Sequence, residues 1–137
     1  MVGIIAISHG NYVKELINSV ELIYGKIDEI EAICLEKAES IESLNSKIEL
    51  KIKGLDADEI LILVDLLGGT PYNASSLWMK NPNINVVTGI NMPMLLEILP
   101  HRNEGLMKVS KIAEESAKNG IINVGEKYKT LNKPKII

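Results

Sequence analysis

Between Glu59 and Asp65 the chain runs Ile-Leu-Ile-Leu-Val, five aliphatic residues in a row with no polar residue on either face. A strand half exposed to water alternates apolar and polar side chains, whereas one that is apolar on both faces has to be covered on both, usually by helices. That run commits the chain to a layered α/β architecture. Val2 to Ile7 is a second apolar run without helical spacing, broken by Ser8-His9-Gly10-Asn11. Ile30 to Leu35 and Asn85 to Gly89 read as shorter strands.

Helical spacing fills the intervals. Val13, Leu16, Ile17, Val20 and Tyr24 form one stripe, with Asn11 as the predicted cap and Gly25 as terminator. Ile41, Leu44, Ile48, Ile52 and Leu55 form another, capped by Ser40 and ended near Gly54. Ala74 to Met79 reads as a short helical stretch, Pro93 opens a helix through Leu99, and Val109, Ile112, Ala113 and Ala117 mark the last one before Gly120. Strands alternating with helices predict an open, mostly parallel sheet of about four strands, in the order 2-1-3-4, with helices on both faces and right-handed crossovers. Ile121, Ile122 and Val124 read as a C-terminal edge strand.

A chain of 137 residues has room for one ordinary domain, assigned to residues 1–125, with residues 126–137 as a basic tail. From Lys118 onward five lysines face one acidic residue, a net +4, which leaves −7 on the rest of a chain whose total is −3. That balance argues against a nucleic-acid-coating protein, which needs clustered lysine and arginine. One Trp, four Tyr and no Phe leave no platform for stacking bases. The single cysteine, Cys34, excludes an internal disulfide framework and a cysteine zinc cluster, and favours a reducing, cytoplasmic setting. No apolar run approaches the roughly 20 residues a membrane span needs, and Met1 to Ile7 has no leader pattern.

In doubly wound sheets, ligands bind beyond the carboxyl ends of the strands, where successive crossovers diverge. With the second and third strands on opposite sides of the first, that crevice lies between His9 and Asp65. A carboxylate there would hold one ring nitrogen of the histidine, fix its tautomer and leave the other nitrogen as a nucleophile. Gly68-Gly69-Thr70 leads toward a helix, so its peptide N–H groups and the Thr70 hydroxyl suit an anion such as phosphate. An imidazole acceptor, an orienting carboxylate and a set of donors are the parts of a phosphoryl-transfer site. Neither G-x-G-x-x-G nor G-x-x-x-x-G-K-[ST] occurs, nor G-x-S-x-G, nor H-E-x-x-H, so nucleotide binding, a serine hydrolase and a zinc hydrolase all lose support. No metal and no cofactor are expected.

Each candidate also has a plainer use. His9 can be a turn residue, Asp65 can cap the next turn, Gly68 and Gly69 can simply turn the chain, and Thr70 can cap a helix. Asn73 and Asn91 read as loop-fixing side chains, Met92 and Met94 as packing residues, and Cys34 as an inert core thiol. Trp78 reads as core or dimer contact, and His101 as a solvent-exposed turn residue.

Three segments together carry a resemblance: a first strand ending in His9-Gly10, the block Asp65-Leu-Leu-Gly-Gly-Thr-Pro-Tyr-Asn73, and Gly89-Ile-Asn-Met-Pro-Met94. In order and spacing they resemble the enzyme IIA component of the mannose-type (mannose, fructose, sorbose) family of the phosphoenolpyruvate-dependent sugar phosphotransferase system. The resemblance implies that His9 is phosphorylated by the histidine-containing phosphocarrier protein and passes the phosphoryl group to enzyme IIB, which works with membrane components IIC and IID. It implies that Asp65 bonds Nδ1 so that Nε2 takes the phosphate, and that Thr70 donates to the phosphoryl oxygens. It also implies a homodimer, in some members joined by an exchanged C-terminal strand, here Ile121 to Val124. Leu67 stands where the best-known members carry Trp, a departure that bears on partner or sugar specificity. The rivals are the phosphotransfer subunit of a dihydroxyacetone kinase, a histidine phosphatase, and a regulatory module that reports phosphorylation state.

Overall fold

The computed structural model describes residues 1–131. Four parallel strands, β1 (Gly3–His9), β2 (Ile30–Leu35), β3 (Ile60–Val64) and β4 (Ile84–Thr88), form one sheet in the order β2-β1-β3-β4. Helices α1 (Tyr12–Tyr24), α2 (Ile41–Gly54), α3 (Gly69–Ser76), α4 (Met92–Ile98), α5 (Leu106–Asn119) and α6 (Val124–Leu131) complete the described chain. This is the predicted α/β sheet in the predicted order.

The period-two geometry of a strand divides the core in two. Ile4 and Ala6 of β1 and Leu61 and Leu63 of β3 pack beneath α1, α4 and α5. Their neighbours Ile5, Ile7, Ile60, Ile62 and Val64 turn the other way and pack against Leu44 and Ile48 of α2 and Ala74 of α3. The aliphatic run Ile60–Val64 is thus buried on both faces, with all five side chains at 3% exposure or less.

Several local expectations hold to the residue. Ser40 Oγ accepts from Ser43 N at 3.1 Å and starts α2, and Gly25, at φ +98°, ends α1. Others need correction. Asn11 makes no side-chain cap to α1. The buried Ser8 hydroxyl does that work instead, accepting from Val13 N at 3.0 Å and donating to the Gly10 carbonyl at 3.0 Å. The helix after β3 starts at Gly69, inside the glycine loop, rather than at Ala74. It passes into a 3-10 turn at Leu77–Lys80, so the expected stretch Ala74 to Met79 divides between the end of α3 and that turn.

The expected edge strand is absent from the fold as described: Ile121 to Asn123 have no regular structure and α6 begins at Val124. In the described chain this segment pairs with no strand, and α6 buries none of its residues. Part of the basic tail, residues 132–137, lies outside the described residues.

At the amino edge of the sheet the chain's single arginine, Arg102, is buried. It donates to the carbonyls of Val2, Asp28 and Glu29, closing the entrances to β1 and β2. The opposite, carboxyl edge is where four strands release their loops together.

Candidate functional site

Parallel strands deliver their last residues to one edge, and the register decides which of them meet. Ile7 stands opposite Val64, so His9 and Asp65 leave adjacent strands side by side. Asp65 Oδ2 accepts from the His9 backbone N–H at 2.9 Å and lies 2.7 Å from His9 Nδ1. Its other oxygen accepts from Leu66 N at 2.9 Å. Burial disfavours the charge on Asp65, but the His9 backbone N–H, the His9 ring and the Leu66 N–H outweigh it and hold its pKa below the ordinary value.

The ring itself remains 49% exposed while the carboxylate is 11% exposed, so the orienting group is covered and the reactive ring is presented. With Nδ1 directed at Asp65, the tautomer carrying its proton there leaves Nε2 as a free lone pair. Gly69 runs beside that side of the ring: a Cβ on it would lie 3.4 Å from Cε1 and 3.5 Å from Nε2 of His9. Gly68 precedes α3 and the half-buried Thr70 lies in its first turn. His9, Asp65 and Gly69 are therefore in direct proximity, with Gly68 and Thr70 flanking Gly69 in the chain.

Two participants escaped sequence reasoning. Ser8, fully buried, shapes the turn that carries His9. Tyr12, on the first turn of α1, donates to the Ile90 carbonyl at 2.7 Å, and Ile90 N donates to the Val64 carbonyl at 3.1 Å. Burial, and then the nearby charge of Asp65, raise the Tyr12 pKa. The loop after β4 is in this way tied to both the histidine loop and the end of β3. A hydroxyl in the Ser-His-Gly turn was the available signal for Ser8; nothing local marked Tyr12, whose partner is 78 residues away.

The remaining candidates are structural. Asn91 caps α4 by accepting from Met94 N at 2.9 Å and donates to the Ala117 carbonyl at 3.1 Å. Trp78 packs against the α2 side of the core and donates to Asn45 Oδ1 at 2.8 Å. Met94 is fully buried and Met92 packs beside it. Cys34 is half-buried on edge strand β2 rather than deep in the core. His101 is half-buried and pairs with Glu104 far along the chain from the site.

A family model described as the fructose IIA component of the phosphotransferase system (EIIA-man) matches residues 3–116. The chain belongs to the mannose-type EIIA family. All three segments of the sequence resemblance fall inside the matched region. Among relatives of this EIIA chain, the sorbose-specific EIIA component of Lacticaseibacillus casei is 36% identical over 116 residues, 84% of this chain and 83% of that one. The fructose-specific EIIA component of Bacillus subtilis (strain 168) is 33% identical over 110 residues, covering 79% and 75%. The mannose-specific EIIAB component of Escherichia coli (strain K12) is 28% identical over 124 residues, 88% of this chain but 38% of that longer protein. A crystal structure of a phosphotransferase system component EIIA from Streptococcus agalactiae superposes with a TM-score of 0.84 at 31% identity, covering 92% of this EIIA and 99% of that chain.

Proposed function

We propose that this EIIA component accepts a phosphoryl group on His9 Nε2 from the histidine-containing phosphocarrier protein and delivers it to a histidine of enzyme IIB. The observation that carries this reading is the 2.7 Å contact between His9 Nδ1 and Asp65 Oδ2, which engages one ring nitrogen and frees the other. In the forward step the Nε2 lone pair attacks phosphorus, the P–N bond to the donor histidine breaks, and its electron pair returns to the donor nitrogen. The proton on Nδ1 stays in place, and the positive charge that the ring acquires is balanced by the Asp65 carboxylate. Delivery to enzyme IIB is the same exchange with this chain as donor.

The peptide N–H groups of Gly68 and Gly69 and the Thr70 hydroxyl supply donors for the phosphoryl oxygens at the start of α3, with the helix dipole in their favour. No guanidinium joins them, because Arg102 is committed to carbonyls at the other end of the sheet. A relay needs a site that binds phosphate without trapping it, and donors without an arginine clamp satisfy that requirement. Relatives carry fructose, sorbose and mannose in their names, which fits a chain that hands on phosphate while the membrane components IIC and IID select the sugar. No helix among the described residues is long and apolar enough to cross a membrane. We also place this EIIA in a homodimer. The outer edge of β4 pairs with no strand of the described chain, and Ile121, Ile122 and Val124 are exposed and able to serve a second copy as an edge strand.

Incubation with phosphoenolpyruvate, enzyme I and the phosphocarrier tests the relay. Mass spectrometry should show one acid-labile phosphate on the wild type and none on His9→Ala. An adduct that persists in His9→Ala, or none on the wild type, overturns the assignment.

A further inference from the structure

Two successive glycines open α3, and the backbone asks the same of both: φ is +88° at Gly68 and +85° at Gly69, a region that L side chains seldom adopt. Their surroundings differ. A Cβ at Gly68 would meet nothing within 4 Å, whereas a Cβ at Gly69 would sit 3.4 Å from Cε1 and 3.5 Å from Nε2 of His9. Those are ordinary contact distances for a bare imidazole ring, so a methyl group there is compatible with the unmodified site. The same space is not available once Nε2 is bonded to phosphorus, because the three phosphoryl oxygens fan out around that bond.

We infer that Gly69 is a positioning residue of the transfer step, its missing side chain reserving the volume beside His9 Nε2 that the phosphoryl group occupies, whereas the missing side chain of Gly68 serves only the turn and an alanine there keeps the peptide N–H. The inference rests on His9 Nε2 as the acceptor. The transition state makes the strongest demand, since entering and leaving nitrogens lie in line on either side of phosphorus with three oxygens spread between them. A side chain at position 69 therefore opposes the transition state more than the resting protein, and its cost falls on the rate of transfer.

The matched pair Gly69→Ala and Gly68→Ala separates this effect from backbone strain, because both impose an alanine at nearly the same positive φ. Rapid-quench measurement of transfer from the phosphorylated phosphocarrier should find Gly69→Ala slower than Gly68→Ala by about tenfold or more, with the loss in kcat rather than KM. A second readout needs no partner protein. Acylation by diethyl pyrocarbonate, followed at each histidine by peptide mass, should slow at His9 in Gly69→Ala and proceed at the wild-type rate at His101 in the same molecules. Where Gly69→Ala does not fold, the pair Gly69→Asn and Gly68→Asn replaces it, since asparagine tolerates positive φ better than other side chains. Equal transfer rates within the pair, with His9→Gln unphosphorylated, overturn the role of Gly69 and leave the acceptor standing. Phosphate on His9→Gln overturns the acceptor itself.

Discussion

Asp65 holds its charge where burial opposes it, and the source of that charge is local and countable: two contacts from His9 and one from Leu66. Its native pKa lies below the ordinary 3.8, so it stabilises the fold fully above that value and loses the contribution as pH falls through the native one. A carboxyl-carbon titration by NMR should show this displacement, and Asp65→Asn should return the histidine loop to ordinary acid sensitivity. Asp65→Ala should slow phosphorylation of His9 by about tenfold to a hundredfold through a misoriented ring; an unchanged rate in the quench assay removes its assigned role. Tyr12 shifts in the opposite sense. Its raised pKa keeps the phenol neutral beyond 10.0, and the bond to Ile90 is lost only as pH rises through the native value. Tyr12→Phe deletes that bond and should cost about 1 kcal/mol in urea unfolding. His9 and Asp65 were legible as residues because strand ends advertise themselves by a change from apolar to polar. Tyr12 was not, because a phenol reaching across the fold leaves no local pattern.

At the level of elements, the helices behind the site are joined by close approach rather than by apolar area alone. A Cβ on Gly120 would lie 2.4 Å from Pro93 Cγ, so the end of α5 meets the start of α4 only because position 120 has no side chain. Gly120→Ala should therefore cost about 1–3 kcal/mol by overpacking, readable in thermal unfolding, while Gly54→Ala, with nothing within 4 Å, should not show that penalty. Asn91 reinforces the same junction by capping α4 and bonding the Ala117 carbonyl. At the amino edge, Arg102→Met removes the donors for three strand-entry carbonyls and should destabilise by about 3 kcal/mol with little effect on the chemistry at the far edge. Element starts were read best where a cap is short-range, as at Ser40, and worst at α3. There two glycines look like a loop in sequence yet form its entrance, because positive φ at Gly68 and Gly69 turns the chain directly into the helix.

As a whole molecule the chain separates into a packed sheet and a basic end. Ile121 to Leu131 bury no residue within the chain, so truncation after Gly120 should leave the packed sheet folded, with its thermal unfolding still cooperative, while converting the proposed dimer to monomer in sedimentation. A truncated chain that stays dimeric overturns the proposed exchange of Ile121 to Val124. The aliphatic run at Ile60–Val64 determined much of this protein by itself: a strand apolar on both faces must be central and covered by helices, and that forces a parallel α/β sheet with its chemistry at the carboxyl edge. Period and burial are properties a sequence carries residue by residue, so they can be read from it. What the tertiary structure alone decided is distance: that His9 Nδ1 comes within 2.7 Å of Asp65, that Gly69 faces Nε2, and that Tyr12 reaches Ile90. Those distances follow from strand register and helix packing between segments far apart in the chain, and such couplings exist only once the core has formed.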